Sequence, residues 1–217
     1  LQACSQRWPV SFNRDIQLDP NRVQTRSGGG RGAVIGGGSI LTVIAVVLIS
    51  QLTGVDLTSM LGAQQQTGTT TSTASSIDTS VCTSGDSANK YTQCRMVATA
   101  ESLDAVWTEQ LPAQAGLKYA KPEFVLWDGS QISSACGNAS SAVGPFYCSG
   151  DRTVYLDMSF FSEMERSLGA TDTPLAEEYI VAHEFGHHIQ HLTGQMAKAD
   201  RSGSGATSDS VRLELQA

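Results

Sequence analysis

All four histidines of this 217-residue chain fall within nine positions, in the stretch AHEFGHHIQHLTG from Ala182 to Gly194. His183-Glu184-x-x-His187 has the spacing that metal chemistry needs, because residues four apart on a helix stand on one face and two imidazoles can reach one ion. Glu184 follows the first histidine by one residue and projects beside such an ion rather than onto it. There a carboxylate can accept a proton from an activated water and pass it to a leaving amine. The ion that suits this pattern is zinc (Zn2+), which lowers the pKa of a bound water to about 7. The expected metal ligands are therefore His183 and His187, with Glu184 as the catalytic base.

The other two histidines read differently. His191 extends the row from His183 and His187, but three ligands along one straight helix do not close a tetrahedral site. His188 lies four residues after Glu184, where it can orient that carboxylate or stabilise an oxyanion. Otherwise both are supporting or surface histidines. A third-histidine extension of the pattern is absent, since position 193 is Thr193.

A third ligand must come from another segment. The stretch SDSVRLELQA reads as a helix start with Ser208 or Asp209 as cap, and Glu214 lies on it, 27 positions after His187. Two competing carboxylates are Asp157, on a strand expected to face substrate, and Asp200, in the tract KADRSGSGATSDS. Glu214 is the leading candidate among them, with a helix start and nearby apolar residues Val211, Leu213 and Leu215. A His/His/Glu set leaves the fourth position open for water, as hydrolysis requires.

These residues need a rigid support. TDTPLAEEYIVAHEFGHHIQHLTG carries the marks of one helix: Thr173 as N-cap, Pro174 at the first helical position, and Glu177 and Glu178 near the positive dipole end. Leu175, Tyr179, Ala182, Phe185, Ile189 and Leu192 are spaced as its apolar face, and Gly194 is placed to end it. A second helix is predicted over Tyr91 to Leu111, with Met96, Val97, Ala100, Leu103, Val106, Trp107 and Leu111 as the stripe and Pro112 as the break. EFVLW (Glu123 to Trp127) and TVYLDMSFF (Thr153 to Phe161) read as strands. The turn CSGD predicts a hairpin between GPFYC and the second of these, which is expected to be the substrate-binding edge. The fold class expected is α+β, with a small antiparallel sheet and the HExxH helix.

The first third of the chain is built differently. Residues 33–52, AVIGGGSILTVIAVVLISQL, carry no charge. A helix needs about 20 residues to cross a hydrocarbon layer of about 30 Å, and this stretch predicts a single N-terminal transmembrane helix. Arg14, Arg22, Arg26 and Arg31 precede it and the next basic residue is Lys90, so the positive-inside rule predicts a cytoplasmic N-terminus. Residues 1–32 then form a cytoplasmic arm, 53–80 a Thr/Ser/Gln-rich linker, and 81–217 an exported metal-binding domain with an incomplete C-terminus. Cysteine usage agrees with export. Cys82, Cys94, Cys136 and Cys148 fall into two pairs of equal spacing without a CxxC, which fits two local disulfides, although four cysteines allow three pairings. The net charge of −7 argues against a nucleic-acid partner.

The chain resembles the bacterial membrane-anchored neutral zinc metallopeptidase family. The resemblance is carried by FNRDIQLDPNRVQTR, a Gly-rich apolar stretch followed by GVDLTSMLG, SACGNASSAVGPFYC, DRTVYLDMSFF, EYIVAHEFGHHIQHLTG and SVRLELQA, from Phe12 to Ala217. It implies a zincin-like peptidase fold, with His183, Glu184 and His187 in the HExxH roles and Glu214 as third ligand. It also implies that the family runs on past the position of Ala217, so that the sequence is a fragment. The function expected is that of a membrane-anchored, zinc-dependent metalloendopeptidase acting on polypeptides outside the cytoplasmic membrane. The alternative is a non-catalytic, zinc-stabilised surface or scaffold protein, and a third reading makes cell-wall or other amide bonds the substrate.

Overall fold

The computed structural model describes residues 11–28, 77–129, 131–168, 173–200, 202–203 and 205–217. Its centre is a four-stranded sheet in the order β1-β2-β6-β5, built from β1 (Gln24–Gly28), β2 (Glu123–Gly129), β5 (Phe146–Cys148) and β6 (Thr153–Asp157). β1 and β6 both run parallel to β2, and only β5 is antiparallel, joined to β6 as the expected hairpin. The sheet is therefore mixed rather than antiparallel. The near-continuous apolar runs of β2 and β6 have their reason in this arrangement, since parallel strands are covered on both faces. Phe124, Leu126, Val154 and Leu156 face a helical layer, and Val125, Trp127 and Tyr155 face the other way. There a small hairpin, β3 (Gln131–Ser134) and β4 (Gly137–Ser140), covers them with Ile132 and Ala139.

The helical layer comprises α1 (Gly85–Lys90), α2 (Thr92–Ala115), α3 (Phe160–Leu168), α4 (Pro174–Leu192), α5 (Gln195–Lys198) and α6 (Asp209–Gln216). α2 supplies Met96, Val97 and Ala100 to the core, and α4 supplies Val181 and Phe185. A buried ion pair, Arg95 with Glu177, joins the two helices. α2 runs through Pro112 into its final turn and ends at Gly116 rather than at Leu111. Val106 on α2 is exposed.

The strand expected over Thr153 to Phe161 stops at Asp157. The Asp157 carboxylate accepts from the Ser159 amide and hydroxyl, both at 2.9 Å, and this side-chain turn ends the strand and releases Phe160 into α3. Because β6 lies between β2 and β5, it cannot offer an edge to a substrate. The edge on this side is β5.

The two disulfides are Cys82–Cys94, which ties the segment before α1 to α2, and Cys136–Cys148, which ties the β3–β4 turn to β5. The expected transmembrane helix requires a correction of the fold class. Among the described residues no helix is long and apolar enough to cross a membrane, and residues 33–52 lie outside the described residues. The architecture is an α+β fold with a small mixed sheet. β1 is drawn from the segment read as a cytoplasmic arm, and it pairs residue by residue with β2, from Gln24 beside Val125 to Gly28 beside Gly129.

Candidate metal centre

α4 begins as its sequence signals: the Thr173 hydroxyl accepts from the Ala176 amide at 3.3 Å and Pro174 occupies the first turn. It ends at Leu192, with Gly194 at φ 75° turning the chain. The face it buries is not the expected one. Leu175 and Tyr179 are exposed, whereas Glu177, Val181, Glu184, Phe185, His187, His188 and Gln190 are buried. Polar groups hold this helix in place as much as apolar ones do.

α6 begins at the expected cap, with the Ser208 hydroxyl accepting from the Val211 amide at 3.4 Å. It buries Ser210, Leu213 and Glu214 and leaves Leu215 exposed. The close approach of α6 to α4 depends on Gly186, between the two motif histidines. A Cβ there would lie 2.7 Å from the backbone of Ala217.

This approach brings Glu214 onto the histidines. Its Oε2 is 3.2 Å from His183 Nε2 and 3.3 Å from His187 Nε2, and one ligand atom from each of the three residues lies within 4.8 Å of the others. Ligand bonds of about 2.0–2.2 Å place neighbouring corners of a tetrahedron about 3.4 Å apart, so the two histidine–carboxylate spacings suit a zinc-sized ion, and the imidazoles would close toward each other on binding one. The donor chemistry fits as well: two imidazoles and a carboxylate are a common catalytic zinc set. Asp157 is fully buried in the sheet, beside Trp127, and Asp200 caps a loop through Ser202. Neither joins the cluster.

Electrostatics reinforce the grouping. Burial opposes a charged His187, but the hydrogen bond to Glu214, the carboxylates of Glu184 and Glu214, and the bond to Gln190 outweigh it and raise its pKa to about 9. Burial also favours a neutral Glu214, but hydrogen bonds from His183 and His187 overcome it and hold the pKa near 2. Without an ion, the pocket is therefore a buried ion pair.

Glu184 is buried and stands apart from the three ligand atoms. Burial pushes its carboxyl up, against the opposing charges of His187 and His183, and the Tyr147 backbone N–H of β5 faces it and favours the ionised form. A desolvated carboxyl beside the ligand cluster is placed to take up and return a proton.

Two residues that sequence reasoning did not select complete the centre. Gln190 Oε1 lies 2.9 Å from His187 Nδ1, and its amide donates to the Leu213 carbonyl at 2.7 Å. It fixes the imidazole with Nε2 toward Glu214 and ties α4 to the helix that carries Glu214. The only sequence signal was an amide three residues after His187. The other residue is Tyr147, whose hydroxyl lies 2.9 Å from His188 Nδ1 and 3.0 Å from His191 Nδ1. His188 is fully buried, and burial lowers its pKa and keeps it neutral. Its ring nitrogens go to the Tyr147 hydroxyl and the Ala120 carbonyl rather than to the Glu184 carboxylate.

The fold and site together define an α+β protein with a buried His/His/Glu cluster and a separate carboxylate on an HExxH helix. A family model described as "Putative neutral zinc metallopeptidase" matches residues 13–217, and the chain belongs to that family. Among curated relatives, the Mycobacterium tuberculosis protein Rv2575 is 45% identical over 168 residues, covering 77% of this chain and 55% of the relative. The Escherichia coli K12 protein YpfJ is 37% identical over 189 residues, covering 83% of this chain and 60% of the relative. The chain thus spans a little over half the length of these relatives, both named as uncharacterized proteins. No solved structure matches the chain.

Proposed function

We propose that the chain is the metal-binding part of a zinc-dependent peptidase that hydrolyses polypeptides. His183, His187 and Glu214 hold the ion, and Glu184 is the general base. When bound, zinc supplies Lewis acidity and brings the pKa of a water to about 7. Glu184, beside the ligands and not among them, would hold the proton taken from the attacking water and pass it to the leaving amine. The β5 edge, with Tyr147 beside Glu184, offers backbone groups to which an extended peptide can pair. Gln190 holds the His187 ring, and the sheet and α2 exclude water from the back of α4.

The observation that carries this reading is the buried Glu184, adjacent to the ligand cluster but outside it. A structural zinc site has no use for a second, desolvated carboxylate outside its ligand set, which weighs against the scaffold alternative. In the full-length protein, Glu184→Gln is expected to lose hydrolysis of an unstructured protein substrate by about 10²–10⁴-fold while keeping its zinc. Zinc loss in that variant, or retained hydrolysis, refutes the assignment. The two disulfides support an oxidising location outside the cytoplasm.

A further inference from the structure

Glu184, His188 and His191 stand at i, i+4 and i+7 on α4, forming one stripe that faces β5. Tyr147 meets this stripe at both ends. Its backbone N–H faces Glu184, while its hydroxyl sits between His188 Nδ1 and His191 Nδ1 at 2.9 and 3.0 Å. The far end of the chain sets the direction of every bond. His188 Nε2 lies 2.6 Å from the Ala120 carbonyl oxygen, which can only accept, so Nε2 carries the proton. Nδ1 of neutral His188 then accepts from the Tyr147 hydroxyl. The hydroxyl oxygen, its one proton used, accepts from His191 Nδ1–H. Each buried group in the row is satisfied, and a satisfied buried network rigidifies what it joins.

We propose that Tyr147, His188 and His191 are positioning residues for the peptidase reaction, clamping the edge strand β5 to α4 along the stripe that carries Glu184 and so fixing that carboxylate's surroundings. The clamp rests on the functional reading above and acts on Glu184 rather than on the metal ligands. Tyr147→Phe keeps the ring and the backbone and removes only the hydroxyl. It is expected to lower kcat by about 10–100-fold, with KM within about twofold and zinc content unchanged. If that variant fails to fold, His191→Gln, at a partly exposed position, is the second test, with a kcat loss of severalfold. Unchanged kcat in whichever variant folds overturns the clamp, as does a loss of activity that only follows a loss of zinc. Absence of hydrolysis in the wild-type protein is a separate outcome, which removes the reaction and the clamp together.

A different set of contacts carries a second inference. The Arg22 guanidinium donates to the buried Asp104 through Nε at 2.6 Å and Nη2 at 3.2 Å, and lies 5.9 Å from the centre of the Phe185 ring on α4. The Asp19 amide donates to Glu101 at 2.6 Å, and Phe12 exchanges two backbone bonds with the Asn89 side chain at 2.7 and 2.8 Å. Leu18 and Val23 are in the core, and β1 completes the sheet. Removing this segment would take the guanidinium from the buried Asp104 carboxylate and leave it only the Tyr119 hydroxyl at 2.9 Å and the largely exposed Lys121 ammonium at 3.3 Å, a loss that is costly in a buried site. We infer that residues 12–28 lie on the same side of any membrane as the disulfide-bonded domain, so that the chain between Gly28 and Ile77 starts and finishes in one compartment. This departs from the charge-based expectation of a cytoplasmic arm.

The test labels single cysteines in the full-length protein with a membrane-impermeant maleimide, in cells or spheroplasts, on a Cys4→Ser background. Asp15→Cys and Ala113→Cys are both at exposed positions. The two are expected to label alike before permeabilisation. Labelling of one before and the other only after permeabilisation overturns the inference.

Discussion

The two flanks of α4 carry the same residue type toward different ends. On one, His183 and His187 turn their Nε2 atoms onto the Glu214 carboxylate, and like-acting donor atoms converge within 4.8 Å. On the other, His188 and His191 meet a tyrosine hydroxyl and a carbonyl, so both ring nitrogens of His188 and Nδ1 of His191 have complementary partners. A ligand set differs from a structural network in this respect. Its atoms converge on one point, here with Glu214 accepting from both imidazoles, and a bound ion would take the place of those contacts. Four histidines on one helix are thus divided by what the neighbouring segments present, α6 on one flank and β5 on the other.

This contrast breaks most sharply at Glu214. Glu214→Ala is expected to abolish zinc retention on the metal flank, a loss beyond the about 10–100-fold that a supporting residue costs. Zinc content by atomic absorption checks it, and unchanged affinity would return Glu214 to a structural role. Next in size is Gln190→Ala, with zinc affinity down about 10–100-fold as the His187 ring loses its anchor. Competition with a chromogenic chelator measures it.

The third effect is of pH on the metal-free protein. His187 has its folded pKa raised to about 9, so its contribution to stability is full below its ordinary value of 6.5 and is lost as pH rises through 9. Glu214 has its folded pKa depressed to about 2, so its contribution is full above 4.5 and is lost as pH falls through 2. The metal-free form should therefore be most stable between pH 4.5 and 6.5 as far as this pair decides it. Zinc binding at pH 7 should release a proton from His187. Thermal melts across pH and calorimetry in buffers of different ionisation enthalpy read these outcomes. The smallest effect is expected from Asp157→Asn, which should leave zinc content unchanged. The Asp157 carboxyl is already pushed up by burial, and the amide oxygen can keep the turn onto Ser159.

Much of the site was legible because its signals are local. Thr173 and Pro174 start α4, Gly194 ends it, Ser208 starts α6, and the HExxH spacing needs only helical periodicity. The β5–β6 hairpin followed from a turn between two short apolar runs. The misses share one cause, dependence on residues distant in sequence. Leu175 and Tyr179 looked like a core face, but α2 and β5 cover the other side of α4. TVYLDMSFF looked like an edge because nothing in it shows that β2 pairs on one side and β5 on the other.

By itself the sequence determined where α4 lies, which histidines share a helical face, and that a carboxylate had to come from elsewhere to complete the ligand set. Only the tertiary structure decided that His188 and His191 serve a tyrosine rather than an ion, that Gln190 braces His187, and that β1 belongs to the sheet. Gln24–Gly28 has no apolar alternation to announce a strand, and its pairing partner lies about a hundred residues away. Helical spacing and caps are properties of neighbouring residues and can be read in order along the chain. Which flank meets a metal, a hydroxyl or a strand depends on long-range packing, and that is settled only when the sheet and helices close around α4.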